Sequence, residues 1–188
     1  MRIETERLLL RLFAPEDAAD LLAYLKEPAV HCFEEMRLHS LDDARRAAAE
    51  RARDPELYLA IQLKQNGRVI GEIFSHAEST GPAQGLPDTY SPCWMLNEAY
   101  QGKGYMLEAA RAYYDYLFGT LGARRVYLYT EDYNLSCQKL SEKLGMRREG
   151  VFKEFVSFVS DANGQPIYEN TCQYAILKSE WLSAKNPR

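Results

Sequence analysis

The chain has 188 residues, 46% hydrophobic and 27% charged, with a formal net charge of -4. That is an ordinary globular composition, long enough for one domain spanning residues 1–188 with a sizeable core. The acidic balance, with basic residues scattered or at most paired as in Arg124-Arg125 and Arg147-Arg148, argues against nucleic acid as a main partner.

Cys32, Cys93, Cys137 and Cys172 lie far apart with no C-x-x-C pair, and His31, His39 and His76 show no metal-ligand spacing. That usage fits reduced thiols and no metal site, and the expected compartment is the cytoplasm. No run approaches the roughly 18 apolar residues of a membrane span, so no membrane partner is expected. Met1-Arg2-Ile3-Glu4-Thr5 does not read as an apolar signal region.

In chain order, Leu8 to Leu12 reads as a first strand. Pro15 opens a helix with Glu16 and Asp17 in its first turn, an apolar side of Leu21, Leu22 and Leu25, and a stop at Pro28. Ser40-Leu41-Asp42-Asp43 reads as an N-cap with an acidic third position, introducing an Ala- and Arg-rich helix to about Arg53 that Asp54-Pro55 closes. Leu57 to Leu63 and Arg68 to Ser75 are strands joined by Lys64-Gln65-Asn66-Gly67, a hairpin signal. Ala77 to Ser91 is a loop rich in Gly, Pro, Ser and Thr, of a length that is more often functional than idle. Pro92 to Leu96 and Arg125 to Thr130 are further strands, with a helix of spacing Met106, Ala109, Ala110, Tyr113, Tyr114, Leu117 between them. Asn134 to Leu144 is a helix ended by Gly145, and Val151 to Val159 and Thr171 to Leu177 are strands around Asp161-Ala162-Asn163-Gly164. The succession is mixed α/β.

Gln101-Gly102-Lys103-Gly104-Tyr105-Met106 carries the most information. A Gly-rich turn between a strand and a helix leaves N–H groups at the positive end of the helix dipole, a ready site for a phosphate or pyrophosphate. Glycines let the backbone come close to such a ligand. A second motif, Asn134-Leu135-Ser136-Cys137 continuing to Glu142-Lys143-Leu144-Gly145-Met146, lies downstream in fitting order.

Together these motifs resemble the GNAT superfamily of acyl-CoA-dependent N-acetyltransferases, and more narrowly its ribosomal-protein-alanine (RimJ/RimL-like) branch. Further matching pieces are Glu4-Thr5-Glu6-Arg7-Leu8-Leu9-Leu10-Arg11, Met95-Leu96-Asn97, Glu108-Ala109, Tyr174-Ala175-Ile176-Leu177 and Glu180-Trp181. The resemblance implies an α/β (α+β) GNAT fold: a mixed, largely antiparallel seven-stranded sheet with about four helices. It implies a slot where the fourth strand splays from the fifth. Acetyl-CoA, as co-substrate, would place its pyrophosphate on Gln101, Gly102, Lys103, Gly104, Tyr105 and Met106. Its pantetheine arm would pair with backbone at Trp94, Met95 and Leu96, with Asn134 reaching it from the far side. Asn134 would equally serve as a plain N-cap. Three positions depart from the pattern: Met106 replaces a usual Gly or Ala, Cys137 a frequent Ser, and Met146 a frequent Phe.

The chemistry that follows is acetyl transfer to a primary amine, by direct attack in a ternary complex. A lysine-type amine of pKa about 10.4 costs roughly 4–5 kcal/mol to deprotonate at pH 7, an α-amine near 8 only about 1.4 kcal/mol. Glu72 is the first candidate base and Glu98 the second. Cys137, beside the coenzyme, is either the acid that protonates the departing thiolate at matched pKa or a core thiol packed with Leu140 and Leu144. Ser141 stands where many relatives carry an acid tyrosine. Acceptor specificity would come from Ala29–Ser40, with His31, Phe33, Glu34 and Glu35; from Ala77–Ser91; and from Val159–Glu169, with Asp161 and Glu169. The acceptor is a protein N-terminus or a small-molecule amine, and a homodimer is compatible with these features. A non-catalytic acyl-CoA-binding module is the alternative. A dinucleotide fold fits poorly, because Gly102 and Gly104 lack a third glycine.

Overall fold

The computed structural model describes residues 1–53, 58–79 and 87–185. Its strands form one open sheet in the order β1-β2-β3-β4-β5-β6-β8-β7. These are β1 (Arg2–Glu4), β2 (Leu8–Arg11), β3 (Tyr58–Leu63), β4 (Val69–Glu78), β5 (Thr89–Leu96), β6 (Arg125–Glu131), β7 (Arg147–Ser160) and β8 (Pro166–Leu177). The helices are α1 (Ala18–Leu25), α2 (Leu41–Ala52), α3 (Tyr105–Gly119), α4 (Leu135–Lys143) and α5 (Lys178–Lys185). The mixed, mainly antiparallel architecture is as expected, with eight strands among the described residues instead of seven. The additional strand is β1, three residues paired with β2 through Ile3 and Leu10. α5 is a further helix, seated by Trp181 against Phe118 with ring centroids 5.9 Å apart.

The chain groups into two compact units: Met1–Ala29, Glu35–His76 and Pro92–Tyr116 form one, and Val30–Glu34, Ala77–Ser91 and Leu117–Arg188 the other. In the first unit β1, β2, β3 and β4 pair antiparallel. Pro15–Asp17 is a short 3-10 turn that runs into α1. Asp17 is fixed there by both terminal guanidinium nitrogens of Arg11 (2.7 and 2.8 Å) and by the Ala14 N–H. Ser40 caps α2 as its sequence demands, Oγ accepting from the Asp43 N–H at 3.1 Å. Ala44, Ala47, Ala48 and Arg51 form the buried side of α2. The expected closure at Asp54-Pro55 and the start of β3 at Leu57 lie outside the described residues, as does the 80–86 portion of the long loop.

In the second unit, β6 and β7 flank β8, both antiparallel to it, from Arg125↔Leu177 to Glu131↔Thr171 and from Arg147↔Ala175 to Ser160↔Pro166. β7 and β8 are longer than the sequence pattern marks, because their outer halves are polar or exposed and carry no apolar alternation. β6 is parallel to the start of β5, through Thr89↔Arg125 and Tyr90↔Val126. Two residues further along β5, Pro92 has no N–H to offer a ladder.

Candidate functional site

In the first unit the Gly-rich turn sits as its sequence implies. Gln101, Gly102, Lys103 and Gly104 are exposed and lead into α3 at Tyr105. Gly102 (φ 74°) and Gly104 (φ 79°) occupy the left-handed region that a Cβ disfavours. The Glu108 N–H bonds the Gly104 carbonyl at 3.1 Å. The N–H groups preceding it are those an α-helix leaves without internal partners. Lys103 folds back, donating to the Ala99 carbonyl at 2.9 Å. Met106 is buried, so its bulk enters the core and does not crowd the turn.

The turn is braced from behind by residues whose role sequence reasoning missed. Arg7 donates to the Lys103 carbonyl at 3.0 Å and to Glu108 from Nε at 2.6 Å and from its backbone N–H at 2.8 Å. Its guanidinium lies 4.5 Å from the Tyr105 ring centroid, and the Thr5 hydroxyl also donates to Glu108 at 2.6 Å. Partial burial opposes a charge on Glu108, but these donors hold its carboxyl below the ordinary range. Both partners belong to motif fragments, yet about a hundred residues separate them and nothing local marks them as a pair.

Before the turn, β5 holds Trp94 and Leu96 half-buried and Met95 buried. The Asn97 N–H bonds the Ile70 carbonyl at 2.8 Å, and the Gln101 side chain donates to the Leu96 carbonyl at 3.3 Å. Glu98 is exposed on the 3-10 turn Glu98–Tyr100. Glu72 is different. It is fully buried, and its two oxygens accept from Arg51 Nε (2.6 Å) and Nη2 (3.1 Å). Burial pushes its carboxyl above the ordinary range against the pull of that guanidinium. A carboxylate held at both oxygens inside the fold is an ion-pair partner, and this geometry corrects its reading as a base.

In the second unit Asn134 caps α4, its Oδ1 accepting from the Cys137 N–H at 3.1 Å. Burial pushes the Cys137 thiol up to about 11, helped by the Glu131 charge and opposed by the Thr130 and Ser141 hydroxyls. The expected pKa match with a leaving thiolate is therefore absent. Ser141 is fully buried and donates to the Cys137 carbonyl at 2.9 Å, a bond inside the helix.

Two of the expected acceptor segments converge in this unit. His31 Nδ1 pairs with Glu169. Tyr133 donates to the same carboxylate at 3.3 Å, and its ring meets His31 edge-on at 6.0 Å. Burial raises the Tyr133 phenol well above its ordinary value, with the Glu131 and Glu169 charges adding to it. Asp161, by contrast, belongs to its hairpin turn, accepting from the N–H groups of Asn163 (2.8 Å) and Gln165 (2.9 Å). Among the described residues no group of His, Cys, Asp and Glu has the makings of a metal site, and no helix is long and apolar enough to cross a membrane.

Comparison with known proteins agrees with this geometry. Residues 7–147 match the family model described as an acetyltransferase (GNAT) domain. The chain is 28% identical over 181 residues to the uncharacterized N-acetyltransferase YnaD of Bacillus subtilis (strain 168), covering 96% of this chain and 99% of that one. A GNAT-family acetyltransferase from Bacillus anthracis superposes with a TM-score of 0.80 at 27% identity, covering 95% of this chain and 99% of that one. A putative ribosomal-protein-serine acetyltransferase from Vibrio cholerae shares the fold, with a TM-score of 0.73 at 18% identity over 94% of this chain and 97% of that one. An exposed Gly turn braced at a helix start, with this match around it, places the chain in the GNAT family as an N-acetyltransferase.

Proposed function

We propose that the chain works as one catalytic domain that transfers an acetyl group from acetyl-CoA to a primary amine by direct attack. The observation that carries this reading is the exposed Gly102–Gly104 turn at the start of α3, with its left-handed glycines and its brace from Arg7. The turn fits a pyrophosphate: nothing lies within 4 Å of where a Cβ of Gly102 would stand, and the first N–H groups of α3 have no intrahelical partners. Residues 101–106 would hold that group, and the backbone of Trp94, Met95 and Leu96 the pantetheine arm. Acetyl-CoA supplies the activated thioester. Asn134 addresses the arm with its amide NH2, since the oxygen of that side chain already serves the cap.

Proton removal from the amine falls to Glu98, which is exposed, and not to Glu72. Donation from a thiol at about 11 to a thiolate near 8.5 is uphill by roughly a few kcal/mol. Cys137 is thus read as a packed thiol, not as the acid, and it holds no thiolate for a covalent acetyl intermediate at neutral pH. The expected acceptor is an α-amine at a protein N-terminus, the cheaper group to neutralise. The Vibrio cholerae protein, named as a ribosomal-protein acetyltransferase, supports that choice, and small-molecule amines are the second class to assay. The cytoplasm is the proposed compartment.

Acetyl-CoA and CoA, but not NAD, should each raise the melting temperature in a saturable way, by the equivalent of about 2.7 kcal/mol at a hundredfold excess over Kd. A flat response to both CoA forms in folded protein would remove the reading. In a thiol-release assay on an amine panel, Cys137→Ala should keep kcat within about tenfold, whereas Glu98→Gln should lose about a hundredfold or more. The reverse ranking would restore Cys137 as the acid.

A further inference from the structure

One face of β6 and its neighbours in the second unit combines a buried carboxylate with exposed rings. Glu131 is only 3% exposed, yet its Oε1 has no hydrogen-bond partner among the described residues. Polar groups buried to this degree are ordinarily satisfied. Side chains alternate along a strand, so Glu131 projects from the face that carries Tyr129 and Tyr127. The register sets Glu131 opposite Thr171 and Thr171 opposite Phe152, so all three lie on that face. Tyr133 and Glu169, already hydrogen-bonded, continue the same face beyond the end of β6.

The rings beside the carboxylate form a cluster. Tyr129 stands 6.1 Å from Phe152 and 5.9 Å from Phe155, and those two stand 5.0 Å apart. Tyr129 is 46% and Phe155 51% exposed. The charge on the face is negative. Glu131, Glu169 and Glu78 contribute to it, Glu78 accepting from the Tyr127 hydroxyl. Of the basic side chains there, His31 is paired with Glu169, Arg125, at the far end of β6, with Glu149, and Arg147, opposite Ala175, with Glu149 and Glu180. A buried oxygen lacking a donor, next to exposed ring faces, is complementary to an ammonium on an apolar chain.

The ammonium it suits is not the one that reacts. Removal of the proton from the attacking nitrogen is assigned to Glu98, and a second carboxylate bound to that nitrogen would hold it protonated. We infer that Glu131 and the Tyr129, Phe152 and Phe155 rings form an anchoring subsite for a second, non-reacting cationic group of the acceptor. This rests on the proposed amine acetylation and, within the second class of acceptors named there, singles out small amines that carry two cationic groups joined by an apolar chain. Glu131 then contributes binding that is equal in ground and transition states, which lowers KM and leaves kcat alone.

The test titrates 1,4-diaminobutane and 1-aminobutane separately into the full chain and reads affinity by calorimetry. Native protein should bind the diamine about tenfold more tightly or better, a difference of about 1.4 kcal/mol. Glu131→Gln should bind the two amines equally, and Phe155→Ala should weaken the diamine about fivefold, about 1 kcal/mol. Equal affinities in the native chain, or a preference that survives Glu131→Gln, overturn the inference. Should that variant not fold, full diamine affinity in Phe155→Ala overturns it instead. Because binding is read without turnover, failure to acetylate any amine counts against the proposed function alone.

Discussion

Gly71→Ala should both destabilise the protein and loosen its hold on acetyl-CoA. A Cβ at Gly71 would stand 2.2 Å from the Met95 carbonyl oxygen, 3.0 Å from the Leu96 Cα and 3.1 Å from the Met95 carbonyl carbon. All three are backbone atoms, so no rotamer change relieves the overlap and the end of β5 has to move. The 2.8 Å bond from the Asn97 N–H to the Ile70 carbonyl stands directly in the way of that movement. Overpacking of this kind costs about 1–3 kcal/mol. The displaced backbone is the stretch assigned to the pantetheine arm, and the Gly turn follows it within a few residues. Acetyl-CoA affinity should therefore fall about tenfold or more, about 1.4 kcal/mol. Urea denaturation and a titration with acetyl-CoA check the two effects. A native midpoint with native affinity would show that β5 is not wedged against β4 as described.

Arg51→Met should be the costlier change for stability, with a pH dependence of definite sign. Glu72 is wholly buried and Arg51 nearly so, and the guanidinium also lies 5.8 Å from the Phe13 ring centroid and 5.4 Å from that of Tyr58. Removing one partner of such a pair costs about 3–5 kcal/mol, because the other is left as an uncompensated charge. Burial already raises the Glu72 carboxyl with Arg51 present, and without it the folded state favours the proton still more. The folded variant then binds more protons than the unfolded chain between the unfolded and folded pKa values of Glu72, so its stability falls as pH rises through that window. The deficit against native protein should be larger at pH 7 than at pH 5. Denaturation curves at the two pH values decide it, and a deficit independent of pH would mean that Glu72 stays ionised without its partner.

What was legible in the sequence was local. Ser40 announces the start of α2 through one hydroxyl and one N–H three residues on. Asn66 accepts from the Arg68 N–H at 3.1 Å and Gly67 has φ 73°, so the turn between β3 and β4 is encoded in adjacent residues. The Gly turn and the Gly145 helix end are legible for the same reason, since a positive φ selects glycine directly. β1 escaped because three residues, Arg-Ile-Glu, carry no measurable alternation, and their pairing with β2 is a tertiary event. α5 escaped because Trp181 is its one buried side chain and no apolar stripe announces it.

The site was half legible. The turn proposed to hold the coenzyme is a local structure, whereas its brace, Arg7 with Glu108, is a long-range pair. Glu72 could have been read better. It stands in a strand whose first seven residues are all buried, and a charge in such a strand needs a partner inside the fold. His31 and Glu169 were each placed in an acceptor segment, but nothing in either segment says that the two meet.

The break in the β7–β8 register at Glu154 has a consequence for how the protein behaves at high concentration. β7 is an outer strand of the sheet, and it exposes Val151, Phe152, Phe155 and Phe158. A flat apolar strand in that position is a template on which further chains stack into fibrils. Glu154, held at φ 46° with its N–H on the Asn170 side chain, breaks the ladder between Phe152 and Val156. Lys153 and Glu154 stand exposed at the break. An incoming strand therefore meets a broken ladder and two charges midway along the aromatic row, which disfavours edge-to-edge stacking at that point.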